Sequence, residues 1–205
     1  MNCCAIFAGG DFFKISDNGN FKNKFVICAD RGHLNAINNK IKPDLVLGDF
    51  DSYKGEICEN VKKITLPTEK DDTDLIYAVK YALKKNFKNI EIYCSFGSRP
   101  DHSFCTYSAL EFIKNNNAYG KAFGKDFTVE ILCSEKITIK KDSRYKYFSL
   151  LSFAGNAKVS IKGAKYNLNE YTIPTDFPIG VSNEIALDKA EINVLNGKVL
   201  LMRTN

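Results

Sequence analysis

Leu45-Val46-Leu47-Gly48-Asp49-Phe50-Asp51-Ser52 is a short apolar run that stops on a glycine and two aspartates. It has the pattern of a strand buried on both faces that opens into a polar loop. Runs of the same kind lie at residues 3–8, 25–29 and 90–94. Between the last two, Leu75, Ile76, Val79, Ala82 and Leu83 recur at helical spacing behind Asp71-Asp72-Thr73-Asp74, which predicts a capped helix. A second helix is predicted after Asp101, carrying Phe104, Tyr107, Ser108, Leu110 and Phe112. Strands that alternate with helices predict an α/β domain over residues 1–125, built on a Rossmann-like, mostly parallel sheet.

The pattern changes after Lys125. Residues 127–133, 137–140, 145–153 and 158–161 read as short strands with no helix between them. At residues 192–200, Asn196-Gly197 sits between apolar runs, and Asn-Gly is a strong hairpin signal. Residues 126–205 are therefore expected to form an all-β sandwich domain packed directly on the first.

Composition narrows the function classes. The 205 residues are 44% hydrophobic and 26% charged, ordinary globular values. No apolar run nears the roughly 20 residues that span a bilayer, and the first residues lack the basic and long apolar regions of a secretory signal. A net charge of +5, with basic residues scattered, calls for no nucleic-acid partner. Seven cysteines cannot all pair within one chain and none shows C-x-x-C spacing, so a reducing, cytoplasmic setting is expected.

Candidate chemistry gathers in three loops. Six of the fourteen aspartates, Asp44, Asp49, Asp51, Asp71, Asp72 and Asp74, fall within residues 44–74. Asp49 and Asp51 follow a strand, at the sheet edge where open α/β folds bind ligands. Carboxylates held together repel unless a cation neutralises them, and hard oxygen donors suit Mg²⁺. Loop turns and helix caps would also use these residue types. Gly97-Ser98-Arg99-Pro100-Asp101-His102 follows another strand; Arg99 offers a fork for phosphate oxygens, and His102 is either structural or an acid–base group. Ala8-Gly9-Gly10-Asp11 either approaches a nucleotide or turns the chain. No Walker A, G-x-G-x-x-G or H-E-x-x-H pattern occurs. Carboxylates, an arginine and small residues at one sheet edge suit Mg-nucleotide phosphoryl chemistry.

The order Cys28-Ala29-Asp30, Pro43-Asp44, Gly48-Asp49-Phe50-Asp51-Ser52, Lys70-Asp71-Asp72-Thr73-Asp74 and Gly97 to His102 resembles the thiamine pyrophosphokinase family. The resemblance extends through Gly163-Ala164-Lys165-Tyr166-Asn167-Leu168 and Val181-Ser182-Asn183-Glu184, and so covers nearly the whole chain. It implies Mg²⁺-dependent transfer of diphosphate from ATP to thiamine, giving thiamine diphosphate and AMP, in a homodimer with sites between subunits. By position, Asp49, Asp51, Asp74 and Asp101 fall on the acidic residues serving Mg²⁺ and the phosphates. Asp71 becomes a candidate for activating the hydroxyl, and Arg99 the phosphate-contacting arginine. Asp30, Ser52, Lys70 and Thr73 fall on the ATP side; Tyr166, Ser182 and Asn183 fall on the thiamine side. Arg31 and His33 depart from the small residues usual there, Ser98 replaces a glycine, Pro100 stiffens its loop, and Tyr166 stands where some members carry tryptophan. The readings set against this one are a diphosphotransferase for another heteroaromatic alcohol, such as a pterin, and a non-catalytic sensor of thiamine or nucleotide.

Overall fold

The computed structural model describes residues 2–15, 21–50, 61–69 and 71–205. The chain is a mixed α/β protein whose contacts divide it into two compact units, Met1–Lys125 and Asp126–Asn205.

The first unit is a parallel sheet. Its strands are β1 (Cys3–Phe7), β2 (Phe25–Ala29), β3 (Leu45–Gly48), β4 (Lys62–Thr65), β5 (Asn89–Tyr93) and β6 (Tyr119–Phe123), in the order β6-β5-β1-β2-β3-β4. Every pairing among them is parallel. The apolar runs become the inner strands because side chains on both faces are covered: all four β3 residues are buried, as are four of five in β1 and in β2. On one face Phe7, Tyr93 and Phe123 stack with centroids 5.2 and 4.7 Å apart. Edge strand β4 carries exposed Lys62 and Lys63, which blunt the open edge against pairing with another chain.

Among the described residues, three α-helices lie between the strands, α1 (Gly32–Asn38), α2 (Asp74–Lys84) and α3 (Pro100–Asn115). Thr73 caps α2, its side-chain oxygen accepting from the Ile76 amide at 3.3 Å, and Leu75, Ala78, Val79 and Ala82 form the buried stripe. In α3 the buried residues are Thr106, Ala109, Leu110 and Ile113. Phe104, expected on the apolar face, is 64% exposed, because the helix turns a different stripe to the sheet. No helix among the described residues is long and apolar enough to cross a membrane.

The chain runs outward from β1 to β4 and then returns through α2 to β5 on the other side of β1. The strand order thus reverses at β1, where open α/β folds form a crevice at the carboxyl edge; the loops after β1 and β5 stay joined there, the Ala8 and Asp11 amides donating to the Tyr93 and Phe96 carbonyls.

The second unit is antiparallel. Its strands are β7 (Phe127–Cys133), β8 (Lys136–Lys140), β9 (Tyr147–Lys162), β10 (Leu168–Ile173), β11 (Asn183–Glu184) and β12 (Lys189–Thr204). The hairpin expected at Asn196-Gly197 does not form. The dipeptide lies inside β12 as a bulge, with the register to β9 shifting on either side of Asn196 and Gly197 in the left-handed region at φ +82°. Residues 145–153 and 158–161 likewise join into one strand, β9, bent at Ala154 and Gly155 with φ +57° and +122°. The bends let β12 pair β8 along its first half and β7 along its second. Ile139, Val159 and Ile192 from one half and Leu132, Phe148 and Leu201 from the other share one buried cluster.

Candidate active site

Asp30 follows β2 in a left-handed turn at φ +46°. Two contacts hold that turn. Its amide donates to the Leu47 carbonyl at 2.7 Å, and the buried His33 ring donates from Nδ1 to the Asp30 carbonyl at 2.8 Å. The accepting carbonyl places the ring proton on Nδ1. Asp49 extends from the end of β3, next to Asp30 because β2 and β3 pair. Asp74 opens α2 behind the Thr73 cap.

These elements bring one carboxylate oxygen each from Asp30, Asp49 and Asp74 within 4.8 Å of one another, all three residues half-buried. Asp30 Oδ1 is buried and accepts no hydrogen bond from any described residue. Three carboxylates this close repel strongly, and a divalent cation with oxygen coordination relieves the repulsion and satisfies the orphaned oxygen. The donor set fits Mg²⁺.

Asp30, Thr73 and Asp74 line a cleft of about 770 Å³ that also meets Gly10, Arg31 and Arg99. Its glycine wall is built by close backbone approach. The Gly10 amide donates to the Cys94 carbonyl at 2.8 Å, and a β-carbon there would lie 2.5 Å from the Phe96 oxygen. From the other side, the buried Asn35 amide donates to the carbonyls of Ala8 (2.9 Å) and Gly10 (3.1 Å). Asn39, one turn later, donates to the Phe13 carbonyl (3.1 Å) and accepts from the Ile15 amide (2.9 Å). Sequence reasoning passed over this pair. Two asparagines at i and i+4, the second just past the end of a short helix, are the signal that could have found it.

Arg99 immediately precedes α3, with Pro100 in the first turn. Its guanidinium grips Asp101, Nη2 to Oδ2 at 2.5 Å and Nε to Oδ1 at 3.3 Å, and this hydrogen bonding holds the Asp101 carboxyl below the usual range. Both side chains are more than half exposed. Asp101 is thus tied to Arg99 and does not belong to the group formed by Asp30, Asp49 and Asp74.

The other aspartates separate by role. Asp44 accepts from the Val26 amide at 2.8 Å and fastens the start of β2. Asp72 pairs with Lys80 at 2.5 Å, and Asp71 lies exposed before α2. Asp51, Ser52 and Lys70 lie outside the described residues.

In the second unit, the Asn183 side chain is spent on the backbone of Tyr166. Its Oδ1 accepts from the Tyr166 amide at 3.0 Å and its Nδ2 donates to the Tyr166 carbonyl at 2.7 Å. The Tyr166 ring itself is 61% exposed. Ser182 holds a left-handed turn at φ +57°, its amide donating to Ser149 Oγ at 3.0 Å. Glu184 pairs with Lys165 at 3.0 Å, which lowers the Glu184 carboxyl pKa.

The chain thus joins a parallel α/β sheet with carboxylates at its carboxyl edge to an antiparallel unit. Residues 18–119 match the family described as thiamin pyrophosphokinase, catalytic domain, and residues 134–199 match thiamin pyrophosphokinase, vitamin B1 binding domain. The thiamine pyrophosphokinase of Bacillus subtilis (strain 168) is 26% identical over 212 residues, covering 100% of this chain and 99% of that one. A crystal structure of the Bacillus subtilis thiamine pyrophosphokinase superposes with a TM-score of 0.91 at 24% identity, covering 99% of each chain. That of Geobacillus thermodenitrificans thiamin pyrophosphokinase gives 0.86 at 21% identity, covering 99% of this chain and 97% of the other. The Candida albicans thiamin pyrophosphokinase gives 0.80 at 13%, covering 100% and 89%. The chain belongs to the thiamine pyrophosphokinase family.

Proposed function

We propose that this protein transfers the β,γ-diphosphoryl group of ATP to the hydroxyl of thiamine. A bond forms between the thiamine oxygen and the β-phosphorus, and the bond from the β-phosphorus to the bridging oxygen breaks, so that AMP leaves with that oxygen. The observation that carries the reading is the convergence of Asp30, Asp49 and Asp74 beside the cleft, in a chain whose two halves both match this family.

The three carboxylates, with Asp51 as a further candidate, would hold Mg²⁺. Bound there, the ion supplies charge neutralisation and orientation of the phosphate oxygens. Asp101 presents the Arg99 fork in a fixed orientation, suited to a phosphate. Asp71, exposed before α2, is the candidate to accept the hydroxyl proton, which an alcohol sheds late in the reaction. Lys70, Ser52 and Thr73 complete the nucleotide side. In the second unit, which we take as the sandwich half of a Rossmann-plus-sandwich architecture, Asn183, with Ser182 beside it, shapes the backbone that presents the Tyr166 ring. That ring suits the flat, cationic thiazolium of thiamine. We place the sites in a homodimer, in agreement with the family resemblance, and the protein in the cytoplasm, a setting the free thiols Cys3, Cys4, Cys28, Cys94, Cys105 and Cys133 support.

Purified protein given thiamine and ATP tests the reading. Thiamine diphosphate is expected with Mg²⁺ present and not after chelation; thiamine left unchanged in the complete mixture would overturn it.

A further inference from the structure

Two arginines line the cleft, and they differ in what they are already doing. Arg99 is engaged by Asp101 through both Nε and Nη2. Arg31 lines the same cleft and makes no ion pair or side-chain hydrogen bond with any described residue. Its backbone is nevertheless held in place. The Arg31 carbonyl accepts from the Leu34 amide at 3.0 Å, and its Cβ lies 3.3 Å from where a β-carbon on Gly9 would stand. Arg31 also follows Asp30 directly, so a guanidinium is tethered beside the carboxylate group. A second feature of the cleft points to a ligand independently. Ser95 is only 5% exposed, lines the cleft, and its Oγ is buried with no hydrogen-bond partner among the described residues. Buried hydroxyls are nearly always satisfied, so this one calls for a partner from the cleft.

Three carboxylates on one side of a site repel a polyanion unless cations face it as well. We propose that Arg31 is a principal phosphate-binding residue of the cleft, donating charge-assisted hydrogen bonds to the polyphosphate chain of a nucleoside triphosphate, with the Ser95 hydroxyl donating to the same chain. This rests on the reading that the cleft holds ATP. Arg99, already paired, is then the secondary cation.

The test is calorimetric binding of α,β-methylene-ATP, an analogue uncleavable at the reacting bond, with Mg²⁺ present. Thermal melting of each variant checks its folding. Arg31→Gln is expected to weaken binding roughly ten- to hundredfold, as loss of a charged hydrogen-bonding partner does. Arg31→Lys should recover part of that loss, and Ser95→Ala should weaken binding about three- to tenfold. The Arg31→Gln complex should also depend less steeply on salt, a change that a merely structural role would not produce. Its KM for thiamine should stay at the wild-type value. A folded Arg31→Gln protein that binds the analogue as tightly as wild type overturns the proposal and leaves the enzyme assignment standing. An unchanged Ser95→Ala overturns the hydroxyl's part. Wild-type protein that makes thiamine diphosphate yet does not bind the analogue overturns the Arg31 assignment; wild type that does neither overturns the nucleotide reading itself.

Discussion

Gly48 lies so close to Asp30 that a β-carbon on the glycine would stand 3.0 Å from Asp30 Cα and 3.2 Å from Asp30 Cβ. The end of β3 is thereby pressed onto the turn that carries one carboxylate of the cluster. The neighbour is backbone, which cannot swing aside as the tip of a long side chain can. Gly48→Ala is expected to destabilise the protein by about 1–3 kcal/mol, the usual cost of overpacking. It should also displace Asp30, lowering kcat/KM at least tenfold. Urea unfolding and steady-state kinetics on the same preparation check both effects.

Asp49→Asn removes one charge and one strong oxygen donor from the cluster. The variant should fold, since its side chain keeps its shape, but it should lose more than about 100-fold in turnover, beyond the cost typical of disturbing only a ligand's supporting contacts. Wild-type protein should melt at higher temperature as Mg²⁺ is added. In Asp49→Asn that rise should shrink or vanish, which a melting series over Mg²⁺ concentration measures.

Asn35 holds the glycine wall of the cleft by donating to Ala8 and Gly10. Asn35→Leu keeps the volume but leaves two carbonyls short of a donor. A loss of about 1–3 kcal/mol in unfolding free energy is expected, with a raised KM for ATP. Asn39→Leu should cost similar stability, because its partners Phe13 and Ile15 lie beyond the cleft wall, yet leave the KM for ATP nearer wild type. Equal KM changes in the two variants would contradict a specific role for Asn35.

Acid should release one contact of the second unit. Hydrogen bonds from the Arg144 guanidinium, Nη2 to Oδ2 at 2.8 Å among them, hold the Asp142 carboxyl down to about 2. A folded-state pKa below the unfolded value gives stabilisation that is complete above about pH 4 and fades as the pH falls toward about 2. Arg144→Ala should weaken that dependence, leaving only the backbone amide of residue 144 and the more distant Arg203 to hold the carboxyl down. Between those pH values the wild type should therefore lose more unfolding free energy than the variant, as urea titrations at stepped pH would record.

Much of the first unit was legible because burial on both faces leaves a mark in the chain: Val46 and Leu47 read as strand with no other information. Edge strand β4, with Lys62 and Lys63 outward, leaves no such mark. Asn196-Gly197 misled because the left-handed conformation it supplies serves a bulge as readily as a turn; only its register with β9 decides between them. At the site, Asp49 and Asp74 stood out by their places at the end of a strand and the start of a helix. That Asp30 joins them depends on β2 pairing β3, a non-local fact. The Arg99–Asp101 grip was equally invisible, since spacing shows that two residues can meet but not that they do.

Phosphorus NMR of a turnover mixture of protein, thiamine, ATP and Mg²⁺ reads the transfer of a diphosphate itself. AMP and thiamine diphosphate should grow together in equal amounts. ADP growing with thiamine monophosphate would contradict diphosphate transfer, because the attacked phosphorus would then be the terminal one.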